Sequence, residues 1–329
     1  MLSLTRLLNF TFSDPPFVIS CYQRMLERLI QEFMRTLDDD RWVIGDKLIL
    51  SRGPNPNGCS WSDGAGSYYC VTETSEVIQS GKAHCNFPVV HEAGKNSRHI
   101  IWNIGDAFLK LVIPHSPQVT REHDTLNAIK DMLPENCDTP SVLFHGEWDG
   151  RYYLAMSKVP GITLHEAWPR MNEDLKSKCV RNVTDLCFAL AKFHGKEISG
   201  VDGGHLPELY LLKSHQAGNF APSILATNSR EIGMECSTLC FYHCDLVPGN
   251  ILVNLETETF GIIDWECAGF VPREWIKTKF CVSGSMDLDT SASDYKDAEY
   301  RKEWKSRMQA SLMEIGFLDV ATSFFEWND

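Results

Sequence analysis

Apolar positions recur at two spacings along this chain, and the place where one gives way to the other divides it. From Cys21 to Leu37 the residues Tyr22, Met25, Leu26, Leu29, Ile30, Phe33 and Met34 fall at helical spacing before Asp38-Asp39-Asp40, which predicts an amphipathic helix. Ser51 to Gly66 is rich in Gly, Pro, Asn and Ser and predicts a loop or an ordered insertion rather than a core element. From Phe87 to Ile113 short apolar stretches alternate with polar turns, predicting three antiparallel strands at Phe87-Pro-Val-Val, Ile100-Ile-Trp and Ala107 to Ile113. Thr120 to Leu133 predicts a helix with Thr120 as N-cap and Leu126, Ile129, Met132 and Leu133 on one face. Pro134 and Pro140 end it, and Val142-Leu-Phe and Tyr152 to Met156 add two strands.

Pro160-Gly161 interrupts the chain, and helical spacing dominates beyond it. Glu173 to His194 predicts a long helix with Leu175, Val183, Leu186, Leu190 and Phe193 inward, stopped at Gly195. Gly200 to Thr238 is irregular, broken by Gly203-Gly204, Pro207, Gly218 and Pro222. The expected class is α+β in two lobes: residues 1–86 form a helical extension with a loop insertion, 87–159 a small antiparallel-sheet lobe, and 160–329 a mainly helical lobe.

With 329 residues and 43% hydrophobic content, the chain can bury a large core, as an ordinary soluble enzyme does. Its formal net charge of -13 argues against general nucleic-acid binding and is compatible with a cationic small substrate, though solubility is the better explanation for a surplus of acid. The 12 cysteines show no C-x-x-C pair and read as reduced thiols. Polar residues Asn9, Thr11, Ser13 and Asp14 break any signal-peptide core near the start, and no run reaches the length of a membrane span. A cytoplasmic address without a membrane partner is expected.

The densest chemistry lies in His243-Cys244-Asp245-Leu246-Val247-Pro248-Gly249-Asn250 and in Ile263-Asp264-Trp265-Glu266. Phosphoryl transfer needs a carboxylate to orient and deprotonate the attacking hydroxyl, and oxygen ligands to hold Mg2+ against nucleotide phosphates. Asp245, Asn250 and Asp264 supply those groups in that order, with Asp264 following the strand-like run Phe260-Gly-Ile-Ile. Lys110 sits in an apolar strand, an unusual place for an ammonium unless an anion meets it, and Glu122 opens the next helix. Taken alone, Lys110 fits an edge-strand lysine facing water equally well, and Glu122 a favourable charge at a helix start.

The pattern H-x-D-x4-N followed by I-D-x-E resembles the aminoglycoside phosphotransferase and choline kinase group, whose fold is protein-kinase-like. The run from Gly261 to Trp275 is most similar to fungal members of that group. The resemblance implies ATP and Mg2+ as cofactors and a small-molecule acceptor: an aminoglycoside, choline, an amino alcohol, a sugar or a secondary metabolite. It implies Asp245 as catalytic base, Asn250 and Asp264 as metal ligands, and Glu266 as a second ligand or an acceptor behind them. Lys110 would contact the α and β phosphates, with Glu122 orienting it. The turn holding Gly94, Asn96 and Ser97 would cover the phosphates, although a plain hairpin turn explains it about as well. Met156 to Val159, including Lys158, would be the linker that bonds adenine, with Leu252 and Ile263 sandwiching the ring. His243, counted among the catalytic-loop residues, is expected to organise the loop rather than carry a proton, and His194 to be structural.

Cys244 stands where the family usually has Gly, which would strain the loop if that position has positive φ. Trp168, Trp265 and Trp275 are candidates for a substrate wall, with buried packing the better expectation for each. Two other readings share the same residues: ATP-dependent activation of an acyl or carboxylate substrate, and a non-catalytic binding protein that retains the fold. Intact Lys110, Asp245, Asn250 and Asp264 argue against the last.

Overall fold

The computed structural model describes residues 33–78, 81, 87–92, 99–148, 150–289 and 298–328. Most of the helix expected over 21–37 lies outside the described residues. Two compact units emerge, one holding residues 2–114 with 141–158 and the other 115–140 with 159–329.

The first unit begins with a sheet that the sequence reading did not anticipate. Strands β1 (Met34–Thr36), β2 (Arg41–Ile44), β3 (Leu48–Gly53), β4 (Trp61–Ser62) and β5 (Tyr68–Glu73) are ordered β1-β2-β3-β5-β4. The end of the expected helix is thus strand β1, because Met34 to Thr36 pairs antiparallel with Trp42 to Ile44 and long-range pairing overrides local periodicity. The expected 51–66 loop is likewise bounded by strands, and its Trp61 is only 7% exposed. Cys59 and Cys70 form a disulfide, which corrects the all-thiol expectation for this pair. The two cysteines come together because β4 and β5 pair between them, at Trp61↔Tyr69 and Ser62↔Tyr68.

The expected five-strand lobe follows: β6 (Val89–Glu92), β7 (His99–Ile104) and β8 (Ala107–Val112), then α1 (Glu122–Ala128) and β9 (Cys137–Asp138) in the other unit, then β10 (Val142–Trp148) and β11 (Arg151–Ser157). Its order is β10-β11-β8-β7-β6, antiparallel throughout. This sheet and the first share one apolar core. Trp42, Ile44, Leu48 and Leu50 pack in the same cluster as Ile100, Trp102, Ile104, Leu109 and Leu111. Each such side chain contributes roughly 1.5–3 kcal/mol by leaving water. Successive strand residues point to opposite faces, so Leu109 and Leu111 turn inward and Lys110 faces the other side of the sheet. β8 is central, so Lys110 is not an edge-strand lysine facing water, and it is 2% exposed.

In the second unit α1 begins at Glu122 after Arg121 rather than being capped by Thr120, whose hydroxyl donates to Asp202 instead. Further elements are β12 (Ile162–Thr163), α2 (Leu164–Ala167), α3 (Glu173–Leu190), β13 (His194–Gly195), α4 (Pro222–Glu231), β14 (Leu239–His243), β15 (Ile251–Asn254), β16 (Thr259–Ile262), β17 (Ala268–Pro272), α5 (Arg273–Val282), α6 (Ala298–Glu314) and α7 (Ala321–Asn328). Asn172 caps α3 by accepting from Leu175 N–H at 2.8 Å, and Val183, Leu186 and Leu190 are buried as expected. The helix stops at Leu190, short of His194, which pairs with Cys240 in a small sheet and bonds Leu239 O at 3.2 Å through Nδ1. Among the described residues no helix is long and apolar enough to cross a membrane.

Candidate active site

Every residue of β14 is buried, and its pairing with β17 runs from Leu239↔Pro272 to His243↔Ala268. Cys244 N–H donates to Cys267 O at 2.8 Å and carries that pairing one residue further. The chain then turns: Val247 N–H bonds Asp245 O at 2.8 Å and Asn250 N–H bonds Val247 O at 2.9 Å. Pro248 opens the short 3-10 turn Pro248–Asn250, a position whose missing N–H costs nothing. Ile263 N–H returns to Asn250 O at 3.0 Å, tying the turn to the end of β16.

Asn250 Nδ2 donates to Asp245 O at 2.9 Å and to Asp245 Oδ2 at 3.0 Å, so the amide fixes the carboxylate. His243 accepts Asp245 N–H at Nδ1 (3.2 Å), which leaves Nε2 to donate to Ile263 O at 3.1 Å. Both ring nitrogens are thereby committed to backbone, and burial holds the imidazole down at about 4. His243 therefore organises the loop as a neutral ring. Asp245 is pushed up to about 6, chiefly by burial; Lys279 opposes this, while Asp264, Glu208 and Glu266 add to it.

Asp264 adopts the left-handed conformation, φ 63° and ψ 56°, immediately before the turn Trp265–Cys267. A non-glycine residue there costs about 1–3 kcal/mol and is found where a site requires it. The turn aims Trp265 N–H at Glu122 Oε1, at 3.0 Å. Ligand oxygens of Glu122, Asp264 and Glu266 all lie within 4.8 Å of one another, and Glu122 is buried. Such a convergence of hard oxygen donors fits a Mg2+-sized ion. The expected metal set of Asn250, Asp264 and Glu266 thus meets a different grouping: Glu122 joins the two acids, while the Asn250 amide is turned to Asp245.

Cys244 is fully buried and outside the positive-φ region, which among described non-glycine residues holds only Glu258 and Asp264. The Gly-to-Cys departure therefore carries no backbone strain. Its thiol lies against that of Cys267, and burial keeps the Cys244 thiol protonated. Trp168, Trp265 and Trp275 are fully buried, so all three pack in the interior instead of walling an acceptor surface. Leu252 is 9% exposed in β15 and Ile263 is half-buried just beyond β16. In the sheet unit, Met156 is buried in β11 and Lys158 follows that strand. Gly94, Asn96 and Ser97 lie outside the described residues.

One feature escaped the sequence reading. Lys279 Nζ lies 2.7 Å from both oxygens of Glu208, which also accepts from Trp275 Nε1 at 3.2 Å and from Tyr210 N–H at 3.0 Å. The pair is buried, and Glu208 holds the Lys279 ammonium strongly charged against the opposing effect of burial. The signal was present: Lys279 follows Trp275 by one helical turn and so falls on the apolar face with Ile276 and Phe280.

A family model described as the phosphotransferase enzyme family matches residues 93–275, more than half of the chain. A search of curated proteins returned no match. Among solved structures the chain is similar to an aminoglycoside-3'-phosphotransferase of type VIII, at 14% identity over 74% of this chain and 91% of that one, with a TM-score of 0.48. It is also similar to the GDP and kanamycin complex of APH(2")-IIia, at 16% identity over 77% and 82%, with a TM-score of 0.47. A third likeness is to the streptomycin-ATP-APH(2")-IIa ternary complex, at 14% identity over 74% and 83%, with a TM-score of 0.46. The family assignment rests on the family model.

Proposed function

We propose, from the premise that this chain belongs to the phosphotransferase enzyme family, that it transfers the γ-phosphoryl group of ATP to a hydroxyl of a small-molecule acceptor. The observation that carries this reading is the Asp245–Asn250 turn in the same unit as the Glu122, Asp264 and Glu266 carboxylates. Asp245 orients the acceptor hydroxyl and takes its proton; a carboxylate poised near 6 is ionised at neutral pH yet basic enough for that task. Asp264 and Glu266, with the Asn250 amide oxygen, are the groups we assign to Mg2+. Bound there, the ion would neutralise charge on the phosphate oxygens.

Lys110 is the group we assign to the α and β phosphates, supported by its burial in a central strand on the face away from the apolar core. Met156 to Lys158, in the same unit as Lys110, bond adenine in this reading. A cytoplasmic setting, where ATP is supplied, completes the reading. The acceptor is a small molecule, and the net charge of -13 is compatible with a cationic one.

The test is a screen of metabolite extracts for ATP-dependent mass gain of one phosphoryl group, run with wild type and Asp245→Asn. Wild type should phosphorylate at least one hydroxyl compound, and the variant should keep ATP binding while turnover falls by roughly 10^2 to 10^4. A substrate converted equally by both would remove Asp245 from the mechanism.

A further inference from the structure

The amino-terminal sheet lies outside the region matched by the family model, yet it grips one particular turn of the nucleotide-side sheet. That turn, Gly105-Asp106, joins β7 to β8. Asp106 N–H donates to Ser62 O at 2.8 Å, the Asp106 carboxylate accepts from the Ser62 hydroxyl, and Trp61 Nε1 donates to Ile104 O at 2.8 Å. Gly105 is at φ 58°, and a β-carbon there would stand 2.5 Å from Ser62 O. Only glycine allows the two backbones to approach this closely.

The same turn lies along the linker. Asp106 O accepts Lys158 N–H at 3.4 Å, Ala107 pairs with Ser157 and Phe108 with Met156, and the Lys158 ammonium stands 5.5 Å from the centre of the Phe108 ring. Asp106 is therefore bonded on one side to β4 and on the other to the segment after β11.

β4 has two residues and pairs only with β5, so its own ladder holds it weakly. Three other features set it. The Cys59–Cys70 disulfide closes the hairpin, Ser60 N–H bonds Tyr69 O at 2.8 Å, and Asp63 Oδ1 accepts from the N–H groups of Ala65 (2.8 Å) and Ser67 (2.9 Å). A segment ordered before binding loses less entropy when a ligand arrives. The Ser62–Asp106 contact is exposed, and surface polar contacts add little to global stability. Its value lies in direction rather than in stability.

We propose that Ser62 and Asp106 are positioning residues, forming a clamp through which the amino-terminal sheet fixes the linker Met156–Lys158 for the nucleotide. The proposal rests on the reading above that this linker meets adenine. Loss of the clamp loosens the linker and leaves the groups that carry out phosphoryl transfer in place.

The test is calorimetry of Mg-ATP binding to the full chain, with urea unfolding on the same samples. Wild type is compared with Asp106→Ala, Asp106→Asn, Ser62→Ala, Ser62→Thr and the double variant Cys59→Ser/Cys70→Ser. Asp106→Ala and Ser62→Ala should each weaken Mg-ATP by about 3- to 10-fold, the size of one hydrogen bond. Asp106→Asn and Ser62→Thr keep an acceptor and a hydroxyl and should recover most of that loss. The cysteine double variant should weaken binding in the same direction, and the urea midpoint should not follow the ATP affinity across the series. Should Asp106→Ala fail to fold, the Ser62 pair carries the comparison alone. Wild-type affinity in both alanine variants, or a loss that tracks the urea midpoint and is not recovered by Asn or Thr, overturns the clamp. A wild type that binds no Mg-ATP overturns the nucleotide reading itself.

Discussion

The loop from His243 to Cys267 and the sheet from Met34 to Glu73 each have a defined conformation, but they reach it by different means. In the loop, each polar group has a nearby partner: Asn250 bonds Asp245, His243 bonds Asp245 N–H and Ile263 O, and Asp264 accepts a left-handed backbone. The sheet has polar contacts as well, among them Arg35 with Asp46 and Arg52 with Asp40, but its place is set by Trp42, Ile44, Leu48 and Leu50 packing in one cluster with Ile100, Trp102, Ile104, Leu109 and Leu111 of β7 and β8. Local hydrogen-bond chemistry restricts residue types and spacing; burial restricts only polarity and volume. The loop should therefore fail through single polar atoms, the sheet through lost volume.

The largest effect is expected in the sheet. Trp42→Ala should cost about 3–5 kcal/mol of unfolding free energy, as large buried aromatics do when truncated. Because the core is shared, hydrogen exchange should speed up at Ile100 to Leu111 as well as at Leu48 to Ser51. Exchange confined to the first sheet would show that the two do not share stability.

Next comes the buried pair beneath the loop. Lys279→Met leaves Glu208 charged without its ammonium and should cost about 3–5 kcal/mol, with much of that recovered in Lys279→Met/Glu208→Gln. Urea midpoints of the single and double variants decide this, and equal midpoints would mean that the two residues act independently.

Asp264→Asn should weaken Mg2+-dependent ATP binding by roughly 100-fold, the upper range for groups that support a bound metal. Titration with ATP in the presence and absence of Mg2+ separates a metal ligand from a mere turn residue, since the latter would weaken both alike.

The smallest effect concerns pH. The His243 imidazole sits at about 4 in the folded chain against 6.5 when unfolded, so between those values the unfolded state binds the extra proton. Stability contributed by the neutral ring is complete above about 6.5 and is lost as pH falls toward 4, with a slope of at most about 1.4 kcal/mol per pH unit. Asp245, held at about 6, acts in the opposite sense below that value and offsets the imidazole, so His243→Asn should lower the slope of metal-free unfolding free energy against pH in that window by leaving the carboxyl unopposed; a slope unchanged from wild type would show that the ring does not titrate as assigned.

The five strands from Val89 to Ser157 and the long helix α3 were legible because their apolar residues keep one period within a single element. The turn from Asp245 to Asn250 was legible because its polar residues lie within a few positions of one another. β1 was misread as helix because Phe33 and Met34 satisfy both periods, and only their pairing across the Asp38–Asp40 turn decides between them. Glu122 shows the same limit at the candidate site. Its position at a helix start was visible, but its approach to Asp264 and Glu266 depends on where α1 packs against a turn far away in sequence. The disulfide was hidden for the same reason, since Cys59 and Cys70 meet only when β4 pairs with β5.

The shared core also bears on solubility. A polypeptide cut at the start of the family-matched region, residue 93, would lose β1 to β6 and keep β7 and β8. Ile100, Trp102, Ile104, Leu109 and Leu111 would then form a contiguous apolar face open to water, bordered on one side by the unpaired edge of β7. Faces and edges of that kind drive sheets to stack and pair with copies of themselves. The amino-terminal strands thus act as a built-in shield against aggregation for the sheet they cover.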